Sequence, residues 1–372
     1  GLRDILARML ASTRPAIVVA LVAALIVAIG LPACGPELRR PAIEAAAVDR
    51  ETERQMEMAM ELWFHRKERL QRVAWRLATR GAPLCDKTVE PGFGLGWISS
   101  DSLPERFRGV ARKSFGIDSK LRVHGIVPGS PAARAGLEDG DEIVSVGGHA
   151  VASLEDMARV WSGLSGNRVS LTVLTVGGKS RVELKGVERC AYPVRLDLSD
   201  AINAFADGKA VGITTGMMRF VESDDELALV VGHELAHNVS GHVAKQQTNT
   251  LAGFFLGALV DAGATAAGVD TGGAGRELGA RMGQGAYSKD FESEADYLGC
   301  YFAARAGYDA SLAMLMWRRM AAEHPASISG GGFLASHPAT AERAVALERT
   351  VEEIRLKQAR GRELVPERLA GG

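Results

Sequence analysis

The sequence has almost no net charge: 44 Lys and Arg stand against 45 Asp and Glu in 372 residues, a formal charge of −1. Without an excess of positive charge to hold a phosphate backbone, nucleic acid is excluded as an expected partner. Periodicity is missing too. The 43 glycines gather near residues 92–148 and 253–285 without a repeat, which excludes a collagen-like or solenoid chain. Cysteine is scarce, at four residues. Cys300 has no neighbouring cysteine and sits on an apolar helical face, so it reads as packing rather than as a metal ligand. Histidine is also rare, at eight residues, yet three fall within "VVGHELAHNVSGH", residues 230–242. The length and the 47% hydrophobic content provide for about two folded domains with connecting segments.

At the N-terminal side, Arg3, Arg8 and Arg14 precede an uncharged run from Pro15 to Pro36. Residues 1–34 therefore read as an export signal or an uncleaved membrane anchor. "LPAC" resembles a bacterial lipobox, which makes Cys34 the expected site of lipidation and a lipid-tethered periplasmic location in the bacterial cell envelope the expected destination. In that oxidising compartment Cys85 and Cys190, at the two ends of one compact segment, are candidates for a disulfide, with two separate buried thiols as the alternative. Residues 35–88 form the next piece. From Glu44 to Arg80 there is neither Gly nor Pro, and Met56, Met60, Trp63, Leu70, Ala74 and Leu77 follow a 4,3 spacing. That pattern, interrupted only by Lys67, predicts one long amphipathic helix docked on its neighbour.

Residues 89–190 change to short strands separated by glycine turns. "PGSPAARAGLEDGDEIVSVGG" closely resembles a PDZ domain of the kind attached to bacterial proteases. The resemblance implies that "GLGW", Gly94, Leu95, Gly96 and Trp97, is the loop that holds a peptide's C-terminal carboxylate while the peptide extends the sheet edge. Residues 99–120 are a polar insertion in that pattern, which bears on whether the groove is open.

Ser223 and Glu226 make a capping box, and the helix that starts at Asp224 is expected to run on through "GHVAKQ". His233 and His237 lie one turn apart on it, the geometry by which two imidazoles share one zinc ion. Glu234 projects beside them, placed to take a proton from an activated water. His242 lies about 140° off the face of His237 on a continuous helix and is expected to be structural. A further ligand must follow. The strongest candidate is the helix that carries Glu292 and Asp296 at i, i+4, where no histidine stands and a carboxylate is the natural ligand; Glu294 leaves its register open.

Together "HELAH", "ESEAD" and "HPATAER" resemble the M48 family of zinc metallopeptidases. The resemblance implies one zinc per chain held by His233, His237 and Glu292, with Asp296 orienting a ligand histidine. It places His337 near the metal, either as an oxyanion donor or as a resting-state occluder, and Arg343 as a charge partner. Residues 191–372 would then form this domain, and the strand containing Gly212, Ile213 and Thr214 would be an edge for substrate backbone. "KAVGITTGMMRF" as a whole reads as a strand, and residues 251–288 as a helical hairpin, a lid or a membrane-touching loop. The expected architecture is α+β: a long N-terminal helix, a β-rich PDZ domain, and a mainly helical zincin-like domain with a small edge sheet. The expected function is an envelope zinc endopeptidase acting on misfolded or membrane-associated proteins. The alternative is a PDZ-bearing chaperone or scaffold with a latent or structural zinc site.

Overall fold

The computed structural model describes residues 41–86, 88–267, 269–285, 288–323, 337 and 340–367. Cys34 and the apolar run before it lie outside this set. The chain divides into two units at Thr52, of which the first contributes only the beginning of helix α1 (Ala45–Arg80) to the described residues. From Glu53 onward α1 is a spine that enters two cores. Met60 and Phe64 pack with Ile98, Val110 and Ile117, whereas Leu70, Val73 and Leu77 pack with the helical core of the C-terminal region. The 4,3 seam thus serves successive neighbours along one helix.

The β-rich part is closed at its base by β1 (Val89–Gly92) pairing with β8 (Val187–Cys190), Val89 opposite Cys190. Cys85 and Cys190 form a disulfide across that base, with a Cα separation of 5.6 Å. Between them, β2 (Gly96–Ile98), β3 (Arg122–His124), β4 (Glu142–Val146), β6 (Arg168–Thr175) and β7 (Gly178–Lys185) form a sheet in the order β2-β3-β4-β6-β7; β5 (His149–Ala150) pairs with β4. β2 is an edge, as peptide addition requires. The insertion folds as helix α2 (Glu105–Phe115), which buries Val110 and Ala111 beside α1. Helix α3 (Pro131–Arg134) and helix α4 (Leu154–Ser162) complete this unit.

A three-stranded sheet follows: β9 (Val194–Asp197), β10 (Ala204–Ala206) and β11 (Val211–Thr214), ordered β10-β11-β9. β11 is central and buried throughout, so Gly212, Ile213 and Thr214 do not form the expected edge; both of their flanks are already paired. Nor does the strand continue to Phe220. Thr214 turns its hydroxyl onto the Met217 amide and starts helix α5 (Thr215–Phe220).

Helix α6 (Asp224–Val239) is capped by Ser223, whose side chain accepts from the Glu226 amide, and it is buried from Glu226 to Asn238. It stops earlier than the sequence pattern suggests. Gly241 adopts φ 66°, a left-handed conformation open to glycine, and a new helix, α7 (His242–Ala266), leaves in another direction. Helix α8 (Ala274–Gly285) returns along α7, followed by α9 (Ser288–Arg305), α10 (Ala313–Glu323) and α11 (Ala341–Ala359).

Candidate metal centre

Two glycines set the distance between the helices that carry the site. A Cβ on Gly232 would fall 2.8 Å from the Gly299 carbonyl oxygen, and one on Gly299 would fall 3.0 Å from the His233 Cα. Backbone therefore meets backbone where α6 crosses α9, which brings the histidines of one helix against the carboxylates of the other. His337 comes from the segment before α11, and Thr340 caps that helix through the Arg343 amide.

His233 Nε2 lies 3.1 Å from His237 Nε2 and 3.2 Å from His337 Nδ1. Glu292 places one oxygen 2.9 Å from His337 Nδ1 and 3.4 Å from His233 Nε2, and the other 3.4 Å from His237 Nε2. These four buried residues are the group among the described residues whose ligand atoms all lie within 4.8 Å of one another. Donors around a tetrahedral zinc with bonds near 2.05 Å sit about 3.3 Å apart, so the spacing and the His, His, Glu, His chemistry fit a zinc ion. Glu294, the competing register, points elsewhere: its carboxylate meets His242 and Ser240.

The supporting groups are equally defined. Asp296 Oδ1 lies 3.0 Å from His233 Nδ1, and Arg343 grips Asp296 with two hydrogen bonds, at 2.7 and 2.8 Å. Arg343 also reaches to 3.3 Å from Glu292 and stacks over Trp317. Burial by itself would lower the pKa of His233, but the flanking Asp296 and Glu292 carboxylates outweigh it and raise it to about 10. Burial and the His233 charge push His237 down to about 2. Glu234 is fully buried, and burial raises its carboxyl above the usual range. Neither of its oxygens makes a hydrogen bond, and the nearer one lies 3.6 Å from His337 Nε2. A buried, unsatisfied carboxylate at the rim of a donor cluster is costly in structural terms and suited to proton transfer.

His242 stands outside the donor cluster, in keeping with the structural role expected of it, but by a different geometry. The break at Gly241 removes the continuous-helix geometry, and the ring folds back so that its Nδ1 lies 3.0 Å from His237 Nδ1, with its Nε2 3.2 Å from Glu294. Phe291 stacks on the other side. The signal for this contact was Gly241, a candidate helix stop just before the third histidine.

A cavity of about 690 Å³ opens onto Glu234, His237, His242 and His337, with Phe205 and Ala206 of β10 on its wall. The sheet edge beside the site is thus β10 rather than β11. A second cavity, of about 570 Å³, is lined by Gly94, Leu95 and Trp97 together with Trp161 of α4. Gln71 and Trp75 of α1 and Tyr192 wall it as well, and residues 99–120 do not line it. The insertion therefore leaves this groove uncovered.

Residues 181–351 match the sequence model for Peptidase family M48, and residues 122–175 match that for a PDZ domain. The match to the M48 family thus covers a little under half of the chain and takes in every member of the donor cluster. The chain is similar to the mitochondrial metalloendopeptidase OMA1 of Arabidopsis thaliana, 30% identical over 44% of this chain and 33% of that protein. It is similar as well to mitochondrial metalloendopeptidase OMA1 of Schizosaccharomyces pombe, 26% identical over 48% of this chain and 52% of that protein. A third relative is the beta-barrel assembly-enhancing protease of Yersinia pestis, 32% identical over 30% of this chain and 24% of that protein. The chain thus spans half or less of the length of most of these relatives. Among solved structures, the HtrA3 PDZ domain bound to a phage-derived ligand aligns at 18% identity with a TM-score of 0.21, over 27% of this chain and 88% of that one.

Proposed function

We propose that this chain is a zinc endopeptidase of the bacterial cell envelope, lipid-tethered at Cys34 or anchored by residues 15–36, that hydrolyses misfolded or membrane-associated proteins. The observation that carries the reading is the convergence of four ligand atoms within 4.8 Å of one another beside the Glu234 carboxylate, which makes no hydrogen bond. His233, His237 and Glu292 hold the metal, one ion per chain. Zinc bound there supplies Lewis acidity that polarises a peptide carbonyl and makes water acidic near neutral pH. Glu234 accepts the proton of the attacking water and returns it to the leaving amine. Asp296, held by Arg343, fixes the tautomer of His233, and His242 with Glu294 does the same for His237.

His337 occupies the fourth corner, so the arrangement is the closed one of a resting site, and a catalytic site needs that corner open. His337 must withdraw before substrate enters, after which its ring is within reach of the developing oxyanion. Substrate backbone adds along β10, whose Phe205 and Ala206 line the cavity. The PDZ groove at Gly94–Trp97 takes protein C-termini and delivers clients. The test is cleavage of an unfolded protein such as casein, abolished by a chelator and restored by stoichiometric zinc.

The closed fourth corner also favours a second reading, a PDZ-bearing chaperone or scaffold with a latent site. Chelator-sensitive proteolysis appearing in His337→Ala supports the peptidase. Stoichiometric zinc without proteolysis, in that variant as in the parent, supports the scaffold.

A further inference from the structure

The hairpin of α7 and α8 is built inside out. Gly253, Gly257 and Asp261 face Gly275, Gly279 and Gly283. A Cβ on Gly253 would fall 2.0 Å from the Gly279 carbonyl oxygen, and one on Gly257 would fall 2.0 Å from that of Gly275. Asp261 is satisfied within the hairpin, accepting from the Thr271 hydroxyl at 2.6 Å and from the Gly275 and Arg276 amides at 2.9 and 3.0 Å. Backbone packs on backbone, so large apolar side chains have no room between the helices. They point outward: Leu251, Phe255, Leu256, Leu259, Val260 and Met282 are 58–71% exposed.

We infer that this hairpin docks into a lipid surface. A helix apolar around most of its circumference is ordinarily buried. At about 100° per residue, Leu251, Phe255 and Leu259 point away from α8, whereas Leu256 and Val260 flank it. One docked protein covers one side of such a helix; acyl chains surround it. Close glycine contacts are also the mode of packing that holds helices together where water supplies no hydrophobic drive. The exposed stretch from Leu251 to Val260 rises about 15 Å, half of a hydrocarbon core of about 30 Å. Among the described residues no helix is long and apolar enough to cross a membrane, so the hairpin enters one leaflet. The Glu277 and Arg281 pair lies on the side of α8 that stays in water. The same chain carries a second lipid-seeking stretch in the uncharged run of residues 15–36, and two such signals are what stable attachment needs. Gln246, Arg281 and Gln284 at the hairpin's root line the site cavity, which would then open beside the lipid. The inference does not depend on peptidase activity.

The test places photoreactive benzoylphenylalanine at Leu259, or at Glu277 as the comparison, in the full chain reconstituted in vesicles of phosphatidylethanolamine and phosphatidylglycerol. Both positions are exposed, so the fold is not challenged. The expected result is lipid adducts at position 259 at least about fivefold above those at position 277, as an interfacial apolar face requires. Adducts at twice the chain mass from position 259 would assign the face to a second copy and overturn the proposal, as would equal or absent lipid labelling at the two positions.

Discussion

His242 Nδ1 lies 3.0 Å from His237 Nδ1, while His237 Nε2 faces the donor cluster and Glu294 closes the chain behind His242. One ring nitrogen of His237 is committed to metal only if the other keeps its hydrogen bond. His242→Ala should therefore weaken zinc binding by roughly 10–100-fold, read by chelator competition, with the far-ultraviolet spectrum unchanged. His242→Asn should recover part of the loss. Wild-type affinity in the alanine variant would remove His242 from the site.

Asp296 and Arg343 are both buried and joined by two hydrogen bonds. Truncating one partner strands the other charge in the protein interior. Asp296→Ala should destabilise by about 3–5 kcal/mol in denaturant titration, and more than Asp296→Asn, which keeps an acceptor for Arg343. Equal stability of the two variants would contradict this account of the pair.

Gly232 and Gly299 fix the helix crossing. With the Gly299 carbonyl 2.8 Å from the added methyl, Gly232→Ala must push α6 and α9 apart. Overpacking of this kind costs about 1–3 kcal/mol, and the shift also separates His233 from Glu292. The variant should lose stability and zinc together. Retention of full zinc affinity would show that the crossing does not set the site.

His124 gives a pH dependence away from the metal. Burial lowers its pKa to about 4, reinforced by Lys67 and opposed by Asp139, with Phe64 packed against its ring. The unfolded chain takes up this proton near pH 6.5 and the folded protein only near 4, so stability falls as the pH drops from 6.5 to 4. Above 6.5 the group contributes no slope. His124→Gln should unfold less steeply with acid in that window than the parent in a series of urea titrations. Identical slopes would place the ring's titration elsewhere.

Much of the site was legible because its members stand in short motifs. His233 and His237 are set by helical periodicity, and Glu292 and Asp296 share one turn of a second helix. His337 and Arg343 follow in a motif of their own. What escaped depends on tertiary events. The helix break at Gly241 re-aimed His242, and a continuous-helix reading could not see it. The same limit applied to β11, whose apolar run looks the same at an edge or at the centre, because only the pairing of β9 and β10 on its two flanks decides the difference. Thr214 acting as a cap shortened the strand for a reason that propensity does not carry. The glycines of α7 and α8 were visible as composition, but their role as a backbone contact appears only when the helices are placed together.

The central claim is that Glu234 moves the proton in a zinc-dependent peptide hydrolysis. Wild type and Glu234→Gln, brought to equal zinc content and compared on the same unfolded substrate, test it most directly. The account predicts equal metal content and at least a ~100-fold lower cleavage rate in the glutamine variant. Equal rates at equal zinc would contradict it.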